Sequence, residues 1–173
     1  EFLRVLAAAS SVFRKAEELV EEAAAEWDDG PAGALAPEWR SLARFTLEEA
    51  SSRLANADVA CGTVHGDFAP WNTRLAAGRL FVFDWEAAEL QSPCCWDWFH
   101  FEVQVLSRLG RGDKLPSSSA VELAVQEPAM RSLLALYLLH SEAGLTRDGV
   151  EPSNRSLELR KKLLTRLLHS AGR

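Results

Sequence analysis

Apolar residues recur at three- and four-residue steps near the start of the chain: Leu3, Leu6, Phe13, Ala16, Leu19, Val20, Ala23 and Trp27. That spacing predicts one amphipathic helix over residues 3–27. Asp28-Asp29-Gly30-Pro31, with Gly33 beyond it, ends the pattern. A second helix is predicted from Pro37 to about Ala55, with Trp39, Leu42, Ala43, Leu47, Ala50 and Leu54 on one face. Pro37 suits its first turn, where no backbone N–H is needed. Val59 to Val64 is short, largely apolar and partly β-branched, which predicts a strand. Leu80 to Phe83 is predicted as its hairpin partner, with Ala76-Ala77-Gly78-Arg79 as the turn.

Helical spacing returns after Pro93. Trp96 to Leu109 reads as one helix, ended by Gly110 and a polar loop to Ser119. Residues 120–143 read as one or two helices, with Pro128 starting the second. A last helix is predicted over about 154–170. Leu157, Leu163, Leu164, Leu167 and Leu168 are expected to face inward, and Arg160, Lys161, Lys162 and Arg166 to form a solvated face. The pattern predicts a single domain over residues 1–173, mainly α with a small β-hairpin, of α+β class.

Composition narrows the partners. A net charge of −6 and a pI near 5.3 lack the basic footprint that nucleic-acid phosphates require. No apolar run reaches the roughly 18 residues of a membrane span, and no signal-peptide pattern opens the chain. The three cysteines, Cys61, Cys94 and Cys95, form neither a disulfide framework nor a metal-ligand spacing. They are read as buried thiols in a reducing, cytoplasmic setting. The tripeptides Asn154-Arg155-Ser156 and Arg111-Gly112-Asp113 match short signals that arise by chance and are discounted. The chain opens at Glu1, as expected of a piece of something longer.

Chemistry concentrates between residues 64 and 86. Asp67 and Asn72 stand five residues apart in a tight loop after a strand, and Asp84 ends a second apolar strand. A carboxylate on a loop stiffened by Pro70 can accept a hydrogen bond from a substrate hydroxyl and orient it. The amide oxygen of Asn72 and the carboxylate of Asp84 are hard donors suited to magnesium. Phosphoryl transfer from a nucleotide needs this set of groups. His65 is read as bonding backbone around the loop.

The segments His65-Gly66-Asp67-Phe68-Ala69-Pro70-Trp71-Asn72, Phe83-Asp84-Trp85-Glu86 and Trp96-Asp97-Trp98 resemble the aminoglycoside phosphotransferase and choline kinase-like branch of the protein-kinase-like fold. The resemblance is strong over residues 59–101 and rests on helix order elsewhere. It implies the helical C-terminal lobe of that fold. Asp67 then looks like the catalytic Asp, Asn72 and Asp84 like the magnesium ligands, and Asp97 like a brace for the catalytic loop. It also implies Mg2+ and ATP, or another nucleoside triphosphate, as cofactor and donor. The acceptor would be a hydroxyl of a small molecule of aminoglycoside, sugar or amino-alcohol class.

Departures from protein kinases favour a small-molecule kinase. Gly66 stands where an Arg would pair with a phosphorylated activation loop, Ala69 where a Lys would stand, and Asp84-Trp85-Glu86 replaces Asp-Phe-Gly. No Gly-rich loop precedes Asp67, and Lys15, the one lysine before it, falls on the first predicted helix. The resemblance therefore does not extend to the N-terminal nucleotide lobe, which is expected as a partner within the same protein. Without that lobe the chain is expected to turn over little.

Two other readings stay open. One is a catalytically inert kinase-like binding module. The other is a metal-dependent phosphohydrolase using His65, Asp67, Asn72 and Asp84 as ligands, although His100, His140 and His169 fall in helical segments. Glu86 and Glu89 either line an acidic acceptor pocket or are surface charges after a strand. Trp71, Trp85, Trp96, Trp98, Phe99 and Phe101 are read as core packing.

Overall fold

A computed structural model describes residues 1–28, 37–109, 119–147, 149 and 154–169. The predicted breaks at 29–33 and 110–118 lie outside the described residues. The chain is mostly helical, with small antiparallel sheets. Among the described residues no helix is long and apolar enough to cross a membrane.

The helix predicted over 3–27 is two helices with a strand between them: α1 (Phe2–Ser10), β1 (Val12–Lys15) and α2 (Ala16–Asp28). Ser11 is extended at φ −71°, ψ 138°, which stops α1. The four residues after it pair with β2 (Asp58–Val64), Val12 facing Cys61 and Arg14 facing Val59. Lys15 is therefore on a strand, where it pairs with Asp58 at 2.7 Å. Tertiary pairing overrides helical spacing here.

The second correction concerns the hairpin. β2 does not pair with residues 80–83. Its other neighbour is β5 (Glu89–Pro93), so the first sheet runs β1-β2-β5 with β2 in the centre. β4 (Arg79–Val82) instead pairs with β3 (Thr73–Ala76), in a separate two-stranded hairpin. The turn falls where expected, with Ala77 and Gly78 both at positive φ (49° and 72°), the conformation that matches strand twist in a two-residue turn.

α3 (Pro37–Arg53), α4 (Trp96–Leu109), α5 (Ala120–Gln126), α6 (Pro128–Arg147) and α7 (Asn154–His169) complete the chain. α6 is buried all round from Ser132 to Leu139 and is the axis of the core, since a helix without a polar face must be enclosed. α2 and α3 pack on it, with the Trp27 and Trp39 rings stacked at 6.2 Å. α4 carries Phe99 and Val103 into the same core. The α5 N-terminus is held by Glu102 of α4, whose carboxylate accepts from Ala120 N at 2.6 Å and Val121 N at 3.0 Å. Negative charge there complements the helix dipole.

Two further expectations fail. Arg160 is buried at 2% exposure, on the inner side of α7, beside Glu142 of α6 at 3.9 Å. Trp71, Trp85 and Trp98 are exposed and do not belong to the core, whereas Phe99 is fully buried. The three cysteines are free thiols; Cys61 is fully buried and Cys94 and Cys95 partly so.

Candidate functional site

The polypeptide leaves β2 at Val64 and turns sharply through His65, Gly66 and Asp67. Gly66 sits at φ +78°, and a Cβ built on it would lie 2.0 Å from the carbonyl oxygen of Ala87. No side chain can occupy that position without moving the backbone. Asp97, in the first turn of α4, accepts from His65 N at 2.7 Å and from Gly66 N at 3.1 Å through its two carboxylate oxygens. Burial holds its carboxyl above the ordinary carboxylate range, and these two amides only partly offset that.

His65 is fully buried and joins the two acidic segments. Its Nδ1 accepts from Asp67 N at 3.3 Å, which leaves the proton on Nε2. Nε2–H then donates to the Phe83 carbonyl at 2.7 Å, one residue before Asp84. The ring also lies 4.6 Å from that of Trp85. Asp84 itself is exposed and left-handed at φ 64°, ψ 63°, a conformation that Asp tolerates better than most residues.

A 3-10 turn over Pro70–Asn72 carries the chain from Asp67 into β3. Asn72 is buried, and its Nδ2 donates to the Asp67 carbonyl at 2.9 Å and to Asp67 Oδ2 at 2.8 Å. Two acceptors on one nitrogen settle which end of the amide faces Asp67, and Oδ1 is the end left over. The Asn72 carbonyl accepts from Phe83 N at 2.9 Å, so Asn72 and Asp84 flank the same open end of the β3–β4 ladder.

The structure adds a residue that sequence reading passed over. His100 Nε2 lies 2.9 Å from Asp67 Oδ1, and the buried Tyr137 hydroxyl lies 3.2 Å from His100 Nδ1. A signal for it exists in the sequence: Asp97 and His100 are three residues apart, on one face of α4. Asp97 holds the backbone of the turn and His100 holds its carboxylate. Burial pulls the Asp67 carboxyl up, but the hydrogen bonds from His100 and Asn72 outweigh it and leave it below the ordinary carboxylate range.

Asp67, Asp97 and His100 open onto a cleft of about 480 Å³ whose far wall comes from α6 and includes Tyr137, His140 and Gly144. Glu86 and Glu89 line it as well. Glu89 accepts from Ser92 and from His140 Nε2, the latter at 3.1 Å. Burial pulls its carboxyl up, and these bonds carry it below the ordinary value. His140 Nδ1 faces Glu26 at 3.1 Å, so both ring nitrogens meet carboxylates. Burial alone would depress the imidazole, yet the two carboxylates carry it up to about 9.

Among the described residues no three His, Cys, Asp or Glu side chains gather into a metal-holding group. An ion that arrives on nucleotide phosphates needs only one or two protein carboxylates with further oxygen donors. Asn72 Oδ1 and the exposed Asp84 carboxylate have the hard-donor chemistry for that role. Models of known protein families, characterised proteins and solved structures, each compared with this chain, yield no match.

Proposed function

We propose that this chain is the helical C-terminal lobe of a kinase-like phosphotransferase, which passes the γ-phosphoryl group of a nucleoside triphosphate to a hydroxyl of a small molecule. The observation that carries this reading is the lock between Asn72 and Asp67. One amide nitrogen fixes both the backbone and the carboxylate of Asp67, and its oxygen partner stays available as a hard ligand. A binding module has no use for such a pairing beside a second carboxylate, Asp84, two residues past the end of β4.

Asp67 accepts the acceptor's hydroxyl hydrogen and aims its oxygen at the phosphorus. Its depressed basicity suits that task, because a loose phosphoryl-transfer transition state asks for orientation more than for early proton removal. Asn72 and Asp84 would hold magnesium, which supplies neutralisation of the phosphate charge. The acceptor lies in the cleft between the Asp67 turn and α6, within reach of Glu86 and Glu89. The phosphohydrolase alternative is disfavoured by His65, both of whose ring nitrogens are committed to the protein backbone.

The test is magnesium-dependent nucleotide consumption by the full-length protein across a panel of hydroxyl acceptors, with and without Asp67→Asn. The substitution is expected to lower the rate on the order of a hundredfold, the worth of a positioned proton acceptor. Equal rates in the two proteins would reject the reading.

A further inference from the structure

Asp67 has two carboxylate oxygens, and each meets a different element of the fold. Asn72 takes Oδ2 from within the same loop. Oδ1 is met by His100, 33 residues away on α4, at 2.9 Å. His100 is itself backed by Tyr137 from the central helix α6, at 3.2 Å. The chain Tyr137–His100–Asp67 thus ties that carboxylate to α6, which is buried all round from Ser132 to Leu139.

The proton positions follow from what each atom can do. An ionised carboxylate only accepts, so the nitrogen facing it must carry hydrogen. Nε2 of His100 is therefore protonated in either charge state of the ring. A proton already occupies that position, so His100 cannot take one from Asp67. It does not relay protons; it fixes where the carboxylate points. Tyr137 keeps its hydrogen over the working range, because burial pushes its hydroxyl up to about 12. It can donate to Nδ1 and so favour the tautomer with hydrogen on Nε2.

Resting on the phosphotransferase reading, we propose that His100 is the positioning residue for Asp67, and that Tyr137 sets the tautomer through which it acts. With both oxygens clamped, Asp67 presents its remaining lone pairs to the cleft in one orientation. Its side chain keeps 39% exposure on that side, while His100 is at 11%. Without His100 the carboxylate is free to rotate about its single bond to the chain, and Asn72 alone does not prevent it. Near-attack geometry is then visited less often, although substrate still binds.

The experiment compares wild type, Asp67→Asn, His100→Leu, His100→Gln and Tyr137→Phe in the full-length protein, by magnesium-dependent ATP consumption. His100→Leu is expected to lower kcat about tenfold or more, with KM for ATP unchanged, since positioning acts on the reacting geometry. His100→Gln, whose amide can still donate to Asp67, should recover part of that loss and shows that the effect is not one of folding. Tyr137→Phe should lose less than His100→Leu. In parallel, the imidazole Nε2–H of His100 should give an exchange-protected proton resonance that disappears in Asp67→Ala.

The two ideas fail separately. A rate lost in Asp67→Asn but fully kept in His100→Leu overturns the positioning role alone, as does a His100 resonance indifferent to Asp67→Ala. Equal rates in wild type and Asp67→Asn overturn the phosphotransferase reading, and the positioning role falls with it.

Discussion

Asn72 reaches back five residues and donates through one nitrogen to both the carbonyl and the carboxylate of Asp67, at 2.9 and 2.8 Å. This pairing makes the Asp67 turn sensitive to a change of a single atom. Asn72→Asp replaces the donor by a second acceptor and sets two carboxylates against each other. The variant should lose about 1–3 kcal/mol of stability at pH 7, from the unmade hydrogen bond and like-charge repulsion. The gap to wild type should narrow on acidification for two reasons. Protonation relieves the variant's repulsion. It also removes what wild type gains from the depressed Asp67 pKa, a gain present above the unfolded value and lost as pH falls. Thermal unfolding of both proteins at pH 7 and pH 4 checks this; an equal gap at both would contradict it.

Among the described glycines, Gly66 leaves the least room for a side chain. Its φ of +78° and the Ala87 carbonyl 2.0 Å from where a Cβ would sit add two separate penalties. Gly66→Ala should cost at least about 2 kcal/mol, the left-handed conformation alone accounting for about 1–2. Gly78→Ala is the control, since that glycine shares the positive φ (+72°) but nothing lies within 4 Å of its Cβ position. Denaturant midpoints should rank wild type above Gly78→Ala and Gly66→Ala last.

His140, held between Glu26 and Glu89, makes stability fall on the alkaline side. Its pKa is raised in the folded protein to about 9, so its contribution is complete below the unfolded value of about 6.5 and disappears as pH rises through 9. The amount is on the order of 2 kcal/mol after allowance for partial exposure. Melting temperature measured from pH 6 to pH 10 should decline more steeply in wild type than in His140→Gln. Parallel curves would show that the imidazole is not charged in the fold.

The buried pair of Glu142 and Arg160 should respond unequally to single and double substitution. Arg160→Met leaves a buried carboxylate without its cation and should cost about 3–5 kcal/mol, whereas Glu142→Leu combined with Arg160→Met should be near neutral. Burial already raises the Glu142 carboxyl, with Arg160 opposing that rise. The Arg160→Met protein should therefore regain stability as pH is lowered and Glu142 takes up a proton. Chemical unfolding at two pH values measures both effects.

Local features of the fold were legible and long-range ones were not. α4 announces itself by spacing, and the start of α6 by Pro128, whose ring fits a first helical turn. β1 does not, because Val12 and Phe13 continue the apolar rhythm of the flanking helices, and only its pairing with β2 makes it a strand. β5 is equally opaque: Glu89-Leu90-Gln91-Ser92-Pro93 has little strand character and owes its conformation to β2. Arg160 looks like one more charge on a basic face until α6 supplies Glu142. At the site, Asp67, Asn72 and Asp84 stand in short contiguous motifs that can be read directly. His100 and Tyr137 belong to other elements, and they come to the Asp67 carboxylate only once the chain has folded.

His65 and Asp97 tie the Asp67 turn to the Phe83–Asp84 corner and to the head of α4. Three separate stretches of chain are thereby fused into one rigid block. Their amides should open to solvent hydrogen exchange in concert, at a single rate.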